Sequence, residues 1–299
     1  MTKLSVVISA FNEESKIKDC LESVRFADEI ILVDNMSADR TVEIAQKFTS
    51  KIFKRPNNPM LNVNKNFGFT KATGDWILSL DADEEISDDL VGEIKSTLKA
   101  SNAKINGYWV PRKNIIFGKW IEHTGWYPDH QLRLFRRNKG KFEEKHVHEM
   151  IKLEGKSEYL KNPMIHRNYE TITQFLQKLI IYTENEATQL IKNGYELKWQ
   201  DIIRFPIKEF LSRFFARKGY KDGLHGIALS ILMAFYHLVI FINIWQKLGF
   251  KDISDNNLLT ELEKELKNFG IEFKHWFLEV KINQTKSPIK KIIYRFLNK

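Results

Sequence analysis

The sequence predicts an α/β protein built on a doubly wound, mostly parallel sheet. Two observations lead to it. Short apolar runs rich in β-branched residues alternate with helix-patterned segments through the first ~80 residues. Acidic residues follow directly on two of those runs, at Asp34 and Asp81, and in such sheets ligands bind beyond the carboxyl ends of the strands. A third observation sets the limit of that fold. From about residue 171 the texture turns helical and basic, so the expected division is an α/β domain over 1–170 and a helical region over 171–299.

The elements follow in order. Residues 4–10 form an apolar strand, and 13–26 a helix with Ile17, Leu21 and Val24 on one face. Residues 29–33 are a second strand, 34–39 a polar loop and 40–48 a second helix. Ile52 and Phe53 begin a third strand before the turn Pro56-Asn57-Asn58-Pro59. Residues 62–72 read as a helix that Gly74 ends, and 76–80 as a buried strand. Residues 107–166 carry short aromatic- and charge-rich strands and loops, and long helices are expected over 171–193 and 199–217.

Composition excludes several classes. With 43% hydrophobic and 28% charged residues the chain can build a core and is not a disordered segment. Its single cysteine, Cys20, rules out an intrachain disulfide and a cysteine zinc site, which fits a reducing compartment. The short apolar run near Met1 is a strand rather than a cleavable leader, so a cytoplasmic protein is expected. A net charge of +9 suits an anionic partner. No recognised nucleic-acid motif accompanies the charge, so nucleic acid is not expected among the partners.

Chemistry concentrates at Asp81-Ala82-Asp83, straight after a buried strand. Two carboxylates at that spacing can converge on a hard divalent cation, with substrate phosphates as co-ligands. On its own such a pair is common, and a solvated acidic turn is the alternative.

The wider pattern narrows the choice. Val6-Val7-Ile8-Ser9-Ala10-Phe11-Asn12-Glu13-Glu14 is followed by Ile31-Leu32-Val33-Asp34-Asn35-Met36-Ser37-Ala38-Asp39. Asn66-Phe67-Gly68, Ala72-Thr73-Gly74-Asp75-Trp76 and Asp81-Ala82-Asp83-Glu84 then come in order. These motifs resemble the start of the inverting glycosyltransferase family 2. The resemblance implies a GT-A nucleotide-diphospho-sugar transferase fold and a requirement for Mn²⁺ or Mg²⁺. It places Ala10, Phe11, Glu13 and Asp34 around the nucleoside, Asp81 at the ribose or diphosphate, and Asp83 on the metal with Asp81 beside it. Lys65-Asn66 stands where many relatives carry Arg-Asn; a lysine keeps the charge but lacks the arginine fork.

Residues 126–137, then His146-Val147-His148-Glu149 and Ile165-His166, are similar to the branch that adds glucose to the inner core of lipopolysaccharide. Inverting transfer to a hydroxyl needs a carboxylate base. By the resemblance this is Asp129, with Glu149 as the alternative; an acid after proline can also simply organise a turn. His148 is a candidate metal ligand and His166 a candidate for the metal or diphosphate. Arg133, Arg136 and Arg137 are candidate phosphate ligands. Trp109, Trp120, Trp126 and Tyr127 are available either to stack on a sugar or to fill the core.

The implied reaction moves a sugar from UDP-glucose to a lipid-linked saccharide. Transfer to a polyprenyl phosphate carrier and a non-catalytic nucleotide-binding scaffold are the alternatives. Residues 227–245 carry no formal charge and approach the length of a membrane span. Residues 287–299 place Ile289, Ile292, Ile293 and Phe296 on one helical face and cations on the other. Monotopic association with an anionic membrane, at the inner face of the cell membrane, is therefore expected, with a true span as the second reading.

Overall fold

The computed structural model describes residues 2–58, 61–100, 102–144, 149–252 and 257–298. Contacts divide the chain into two compact units. The first comprises residues 1–120 and 127–168, the second 121–126 and 169–299. A six-residue segment between two strands of the first unit thus belongs to the helical one.

In the first unit the strands are β1 (Leu4–Ala10), β2 (Glu29–Asp34), β3 (Ile52–Lys54), β4 (Trp76–Asp81), β5 (Glu84–Ile86), β6 (Ile105–Val110) and β7 (Arg112–Ile116). They continue as β8 (Lys119–Trp120), β9 (Gln131–Arg136), β10 (Gly140–Lys141), β11 (Lys152–Leu153), β12 (Lys156–Tyr159) and β13 (Met164–Tyr169). The helices are α1 (Ile17–Ser23), α2 (Thr41–Ala45), α3 (Leu61–Lys71) and α4 (Asp88–Ala100). The helices α1 and α2 are shorter than their apolar periodicity suggests. Residues 11–16 and 35–41 spend hydrogen bonds joining the two loops to each other instead of extending the helices: Ala38 N–H donates to Asn12 Oδ1, Glu13 N–H to Thr41 Oγ1 and Arg40 N–H to Glu14 Oε2.

A seven-stranded sheet in the order β12-β6-β9-β4-β1-β2-β3 forms the centre. β1 pairs in parallel with β2 and β4, while β9 runs antiparallel between β4 and β6. All seven residues of β1 are buried, as a central strand covered on both faces must be. Its side chains alternate between two cores. Val6 and Ile8 pack with Leu21, Leu90 and Ile94, whereas Val7 packs with Ile31, Phe69 and Phe135. Each such Val or Ile contributes about 1.5–3 kcal/mol by leaving water. On the second face α3 approaches closely. A Cβ on Gly68 would lie 2.5 Å from Val7 Cγ1 and 2.9 Å from Val33 Cγ2, so only glycine fits there. A second sheet, β5-β13-β7-β8, brings the β5 acids beside β13, with His166 opposite Glu84.

The second unit holds α5 (Ile172–Lys192), α6 (Asp201–Leu211), α7 (Leu224–Lys247), α8 (Leu258–Gln284) and α9 (Pro288–Leu297). Thr171 caps α5 by accepting from Gln174 N–H. Expected as one helix over 199–217, the second stretch instead passes from α6 into a π-helical turn, Ser212–Ala216. The turn packs Phe215 against Trp276 and Phe277 of α8, and Arg213 Nη1 donates to Thr124 O at 2.7 Å. Helix α7 packs against α5 and α6.

Candidate active site

Parallel pairing puts the ends of β1, β2 and β4 on one side of the sheet, with Ala10 opposite Asp34 and Ser9 opposite Asp81. β9 runs the other way, so its beginning lies at that same side. Arg133 therefore meets the acids at and just beyond the end of β4, Asp81 and Glu84, and Arg136 lies opposite Trp76 at the far end.

Asp34 is fully buried, and its carboxylate accepts the Ser37 N–H at 3.2 and 3.3 Å. Beside it a buried amide ladder runs from Ser9 through Asn35 to Asn64. Ala10 is buried, Glu13 half-buried, and Phe11 and Met36 stand exposed at the rim.

Asp81 meets two cations. Lys65 Nζ pairs with Oδ1, and Arg133 Nη2 donates to Oδ2 at 2.8 Å. Burial alone would raise this carboxyl, but Lys65 and Arg133 outweigh it and hold the group far below the usual carboxylate range. With both oxygens engaged, Asp81 sits as an anion clamped by cations. Glu84, fully buried, accepts from Arg133 Nη2 at 2.6 Å and from Asp81 N–H at 3.0 Å, and pairs with Arg112 Nη1 at 3.5 Å. Burial works against the Arg133 charge, yet Glu84 and Asp81 keep that guanidinium firmly protonated. Among the described residues Arg133 Nε–H, also buried, has no acceptor.

Asp83 and His166 approach each other, with Nε2 3.5 Å from Oδ2. His166 Nδ1 lies 2.7 Å from Asn114 Oδ1. Asn114 Nδ2 in turn donates to Asp129 Oδ2 at 3.3 Å. Because the amide nitrogen serves Asp129, its oxygen faces the imidazole. Nδ1 then carries the proton, leaving Nε2 directed at Asp83. A second partner that fixes the tautomer is the usual accompaniment of a ligating histidine. Among the described residues no three His, Cys, Asp or Glu side chains form a metal group by themselves. Asp83 and His166 supply two donors, one oxygen and one nitrogen, which fit a divalent cation that takes its other ligands from phosphate and water.

Asp129 is partly buried and heavily bonded. Arg112 Nε donates to Oδ2 at 2.8 Å with Nη2 beside it, and Gln131 Nε2 donates to Oδ1 at 2.8 Å. Burial would raise its pKa; the Arg112 charge and these bonds lower it instead. Hydrogen bonds thus run without a break from His166, which faces Asp83, through Asn114 to Asp129. They continue through Arg112, Glu84 and Arg133 to Asp81 and Lys65.

Other sequence candidates have different surroundings. Both ends of the Asn66 amide bind the segment 142–144: Nδ2 donates to Phe142 O and Glu144 Oε1, and Oδ1 accepts from Phe142 N–H. Arg136 stacks on Trp76 at 4.7 Å and donates to Ile105 O and Asn102 O, so the structure does not bring it to the acids. Arg137 is likewise at the far end, its N–H bonded to Asp75 O. Trp109 donates to Ser157 and stacks on Tyr159. Glu149 accepts from Glu144 N–H at 2.8 Å. His146 and His148 lie outside the described residues. Arg112 and Asn114, which no motif singles out, are the residues sequence reasoning missed. The signal was there in part: they stand at i and i+2 of β7, a spacing that points both side chains to one face.

Residues 5–153 match the model of Glycosyl transferase family 2. The chain carries a family 2 glycosyltransferase domain. An uncharacterized glycosyltransferase of Rickettsia prowazekii is 27% identical over 296 residues, covering 95% of this chain and 99% of that protein. The lipopolysaccharide core biosynthesis glycosyltransferase LpsC of Rhizobium meliloti is 26% identical over 255 residues, covering 83% and 94%. Among solved structures, S. aureus TarS 1–349 in complex with UDP-GlcNAc superposes with a TM-score of 0.44 and 15% identity, covering 85% of this chain and 95% of that one. The glycosyltransferase domain has the GT-A fold, and a helical C-terminal region follows it in the chain, with one long apolar helix among the described residues.

Proposed function

We propose that this glycosyltransferase is inverting and metal-dependent, and moves glucose from UDP-glucose to a hydroxyl of a membrane-linked saccharide of the lipopolysaccharide-core class. The observation that carries the reading is the single hydrogen-bonded network that joins the Asp83–His166 pair to the carboxylate of Asp129. The relative named for lipopolysaccharide core biosynthesis supports the acceptor class. A basic C-terminal region, with the work done at the inner face of the cell membrane, agrees with a lipid-linked acceptor.

In this reading the donor lies over the carboxyl ends of β1, β2 and β4. Asp34 takes the nucleobase once the turn 36–38 opens; its carboxylate accepts the imide N–H that uracil offers. Arg133 and Lys65, steadied by Asp81 and Glu84, face the diphosphate, and the unpaired Arg133 Nε–H gains an acceptor there. Asp83 and His166 would hold the divalent cation, which when bound would supply Lewis-acid neutralisation of charge on the diphosphate. An imidazole in the set favours Mn²⁺ over the all-oxygen preference of Mg²⁺. The acceptor oxygen attacks the anomeric carbon from the face opposite the leaving group. As that bond forms, Asp129 takes the hydroxyl proton, and the bond to the diphosphate oxygen breaks with its electron pair. Ionised by Arg112, Asp129 is in the right state to accept that proton at neutral pH.

Calorimetric titration of the full chain with UDP and UDP-glucose, with Mn²⁺ and with EDTA, tests the donor half. Metal-dependent uridine binding that Asp83→Ala abolishes is the expected result; no nucleotide binding under either condition would remove the reading. For the acceptor half, Asp129→Asn should lower kcat by about 10²–10⁴-fold, the usual share of a general base. Retained activity would favour a phosphate acceptor, which needs no base.

A further inference from the structure

We infer that α7 lies in the plane of an anionic membrane surface, immersing one apolar stripe, and does not cross the bilayer. The inference deepens the lipid-linked acceptor reading above and rests on it for the identity of the surface. By length and composition α7 is the one helix among the described residues able to span a membrane. Its exposure pattern argues for another placement.

The most exposed apolar positions are Leu224, Ile227, Ile231, Phe235 and Ile242. At 100° per residue they fall within one narrow face about 27 Å long. Leu224 is 82% exposed and Ile231 54%. A solvent-facing stripe is normally polar; this one carries no polar side chain among those five positions. The opposite face, with Leu229, Ile240 and Ile244, is buried within the helical unit.

What packs beside that buried face weighs against a span. Tyr236, at the middle of α7, donates its hydroxyl to Glu186 of α5 at 3.0 Å. His237 Nε2 lies 3.7 Å from Glu209 of α6. Were α7 to cross the bilayer, carboxylates from two neighbouring helices would sit at the midplane. Each charged group there costs about 2.5–3.5 kcal/mol or more, and Glu209 would bring its ion-pair partner Arg213 into the apolar layer with it. Lying flat, the same helix keeps α5 and α6 on the aqueous side and immerses only the stripe.

Charge identifies the surface. Exposed Lys218 and Lys221 precede the stripe and Lys251 follows it. A second helix repeats the design: on α9, Ile289, Ile292 and Phe296 are 69%, 67% and 78% exposed, with Lys290, Lys291 and Arg295 beside them. Residues 281–299 carry Lys281, Lys286, Lys290, Lys291, Arg295 and Lys299 and no acid. Cations bordering apolar stripes match anionic headgroups over acyl chains.

The test uses the full chain and sealed vesicles of phosphatidylglycerol with phosphatidylcholine, against phosphatidylcholine alone. Flotation should show binding that depends on the anionic lipid. Lys290→Gln with Lys291→Gln should weaken it about 30-fold, at about 1 kcal/mol for each cation near the surface. Ile231→Asp with Phe235→Asp should abolish it while leaving UDP binding intact. For topology, Lys221→Cys and Gln246→Cys, both at exposed positions, are labelled separately with a membrane-impermeant maleimide; Cys20 is fully buried. Labelling of both from outside the vesicle is the expected result. Protection of one of them until detergent is added would show a span and overturn the inference. So would absence of vesicle binding combined with a dimer that Ile231→Asp dissociates, which would assign the stripe to a second copy. Loss of UDP binding by the wild-type chain would strike the donor reading and leave the flotation result standing.

Discussion

Replacing Arg112 by methionine removes the guanidinium that holds Asp129 and also reaches Glu84 at 3.5 Å. Arg112 Nε reaches Asp129 Oδ2 at 2.8 Å, and neither side chain is more than a quarter exposed, at 18% and 23%. An opposite charge at such range lowers a carboxyl by about 1–3 units, or about 1.4–4 kcal/mol. Burial pushes the other way, so without Arg112 the Asp129 pKa should rise to the ordinary carboxylate value or above it. The acidic limb of kcat/KM should then move up by about 1–3 pH units, whereas Arg112→Lys, which keeps the charge, should move it less. Stability follows the same sign. A carboxyl depressed in the fold contributes stability above its unfolded pKa and loses it as pH falls through the folded value. Wild type and Arg112→Met should therefore differ in Tm at neutral pH and converge in acid. The assay is a pH series of initial rates for wild type and both variants, with thermal melts alongside. An acidic limb that stays in place in Arg112→Met would refute the assignment of Asp129, under Arg112 control, as the titrating base.

Further expectations concern metal, hairpin, strand end and helix contact. His166→Ala should lower the affinity for Mn²⁺–UDP while leaving the melting curve of the metal-free protein within about 1 kcal/mol of wild type; equal affinity would remove His166 from the metal site. Asn66→Ala frees three hydrogen bonds that pin residues 142–144 and should cost about 1–3 kcal/mol, read by denaturant unfolding. Glu29 is half-buried, which raises its pKa, but bonds from Lys51, Ser5 and Thr73 outweigh burial and push it down to about 2. Glu29→Gln should thus lose about 3 kcal/mol at neutral pH, a deficit that fades as pH falls from the usual carboxylate value towards 2. Gly226→Ala would place a Cβ 1.8 Å from the Gly219 carbonyl oxygen, and a loss of at least about 1–3 kcal/mol is expected from thermal melts.

Local patterning carried the strand and helix order of the first hundred residues. Burial on both faces makes a central parallel strand such as Leu4–Ala10 continuously apolar, and a helix face repeats on its own period. Helix lengths were less legible. Residues 11–16 and 35–40 bond loop to loop across more than twenty positions, a competition that no local window contains. Glycosyltransferase membership was likewise written in ordered motifs, because residues 10–13, 34 and 81–84 each occupy one strand end.

What tertiary structure decided is which of those residues meet. The extended course of β9 sets Arg133 and Arg136, three positions apart, about 10 Å from each other on opposite faces of the strand, and its antiparallel direction puts Arg133 at the end that carries Asp81. Sheet order brings Arg112 to Asp129 and Asn114 to His166 across 17 and 52 positions. Along the chain, Leu224–Lys247 reads as a span by length and apolarity; the carboxylates of Glu186 and Glu209, supplied by neighbouring helices, are what set its middle in a polar setting. Sequence determines what each residue can do chemically and which local conformation it favours. Only the packed chain determines which charge stands beside which, and electrostatic effects fall steeply enough with distance that this proximity governs the chemistry.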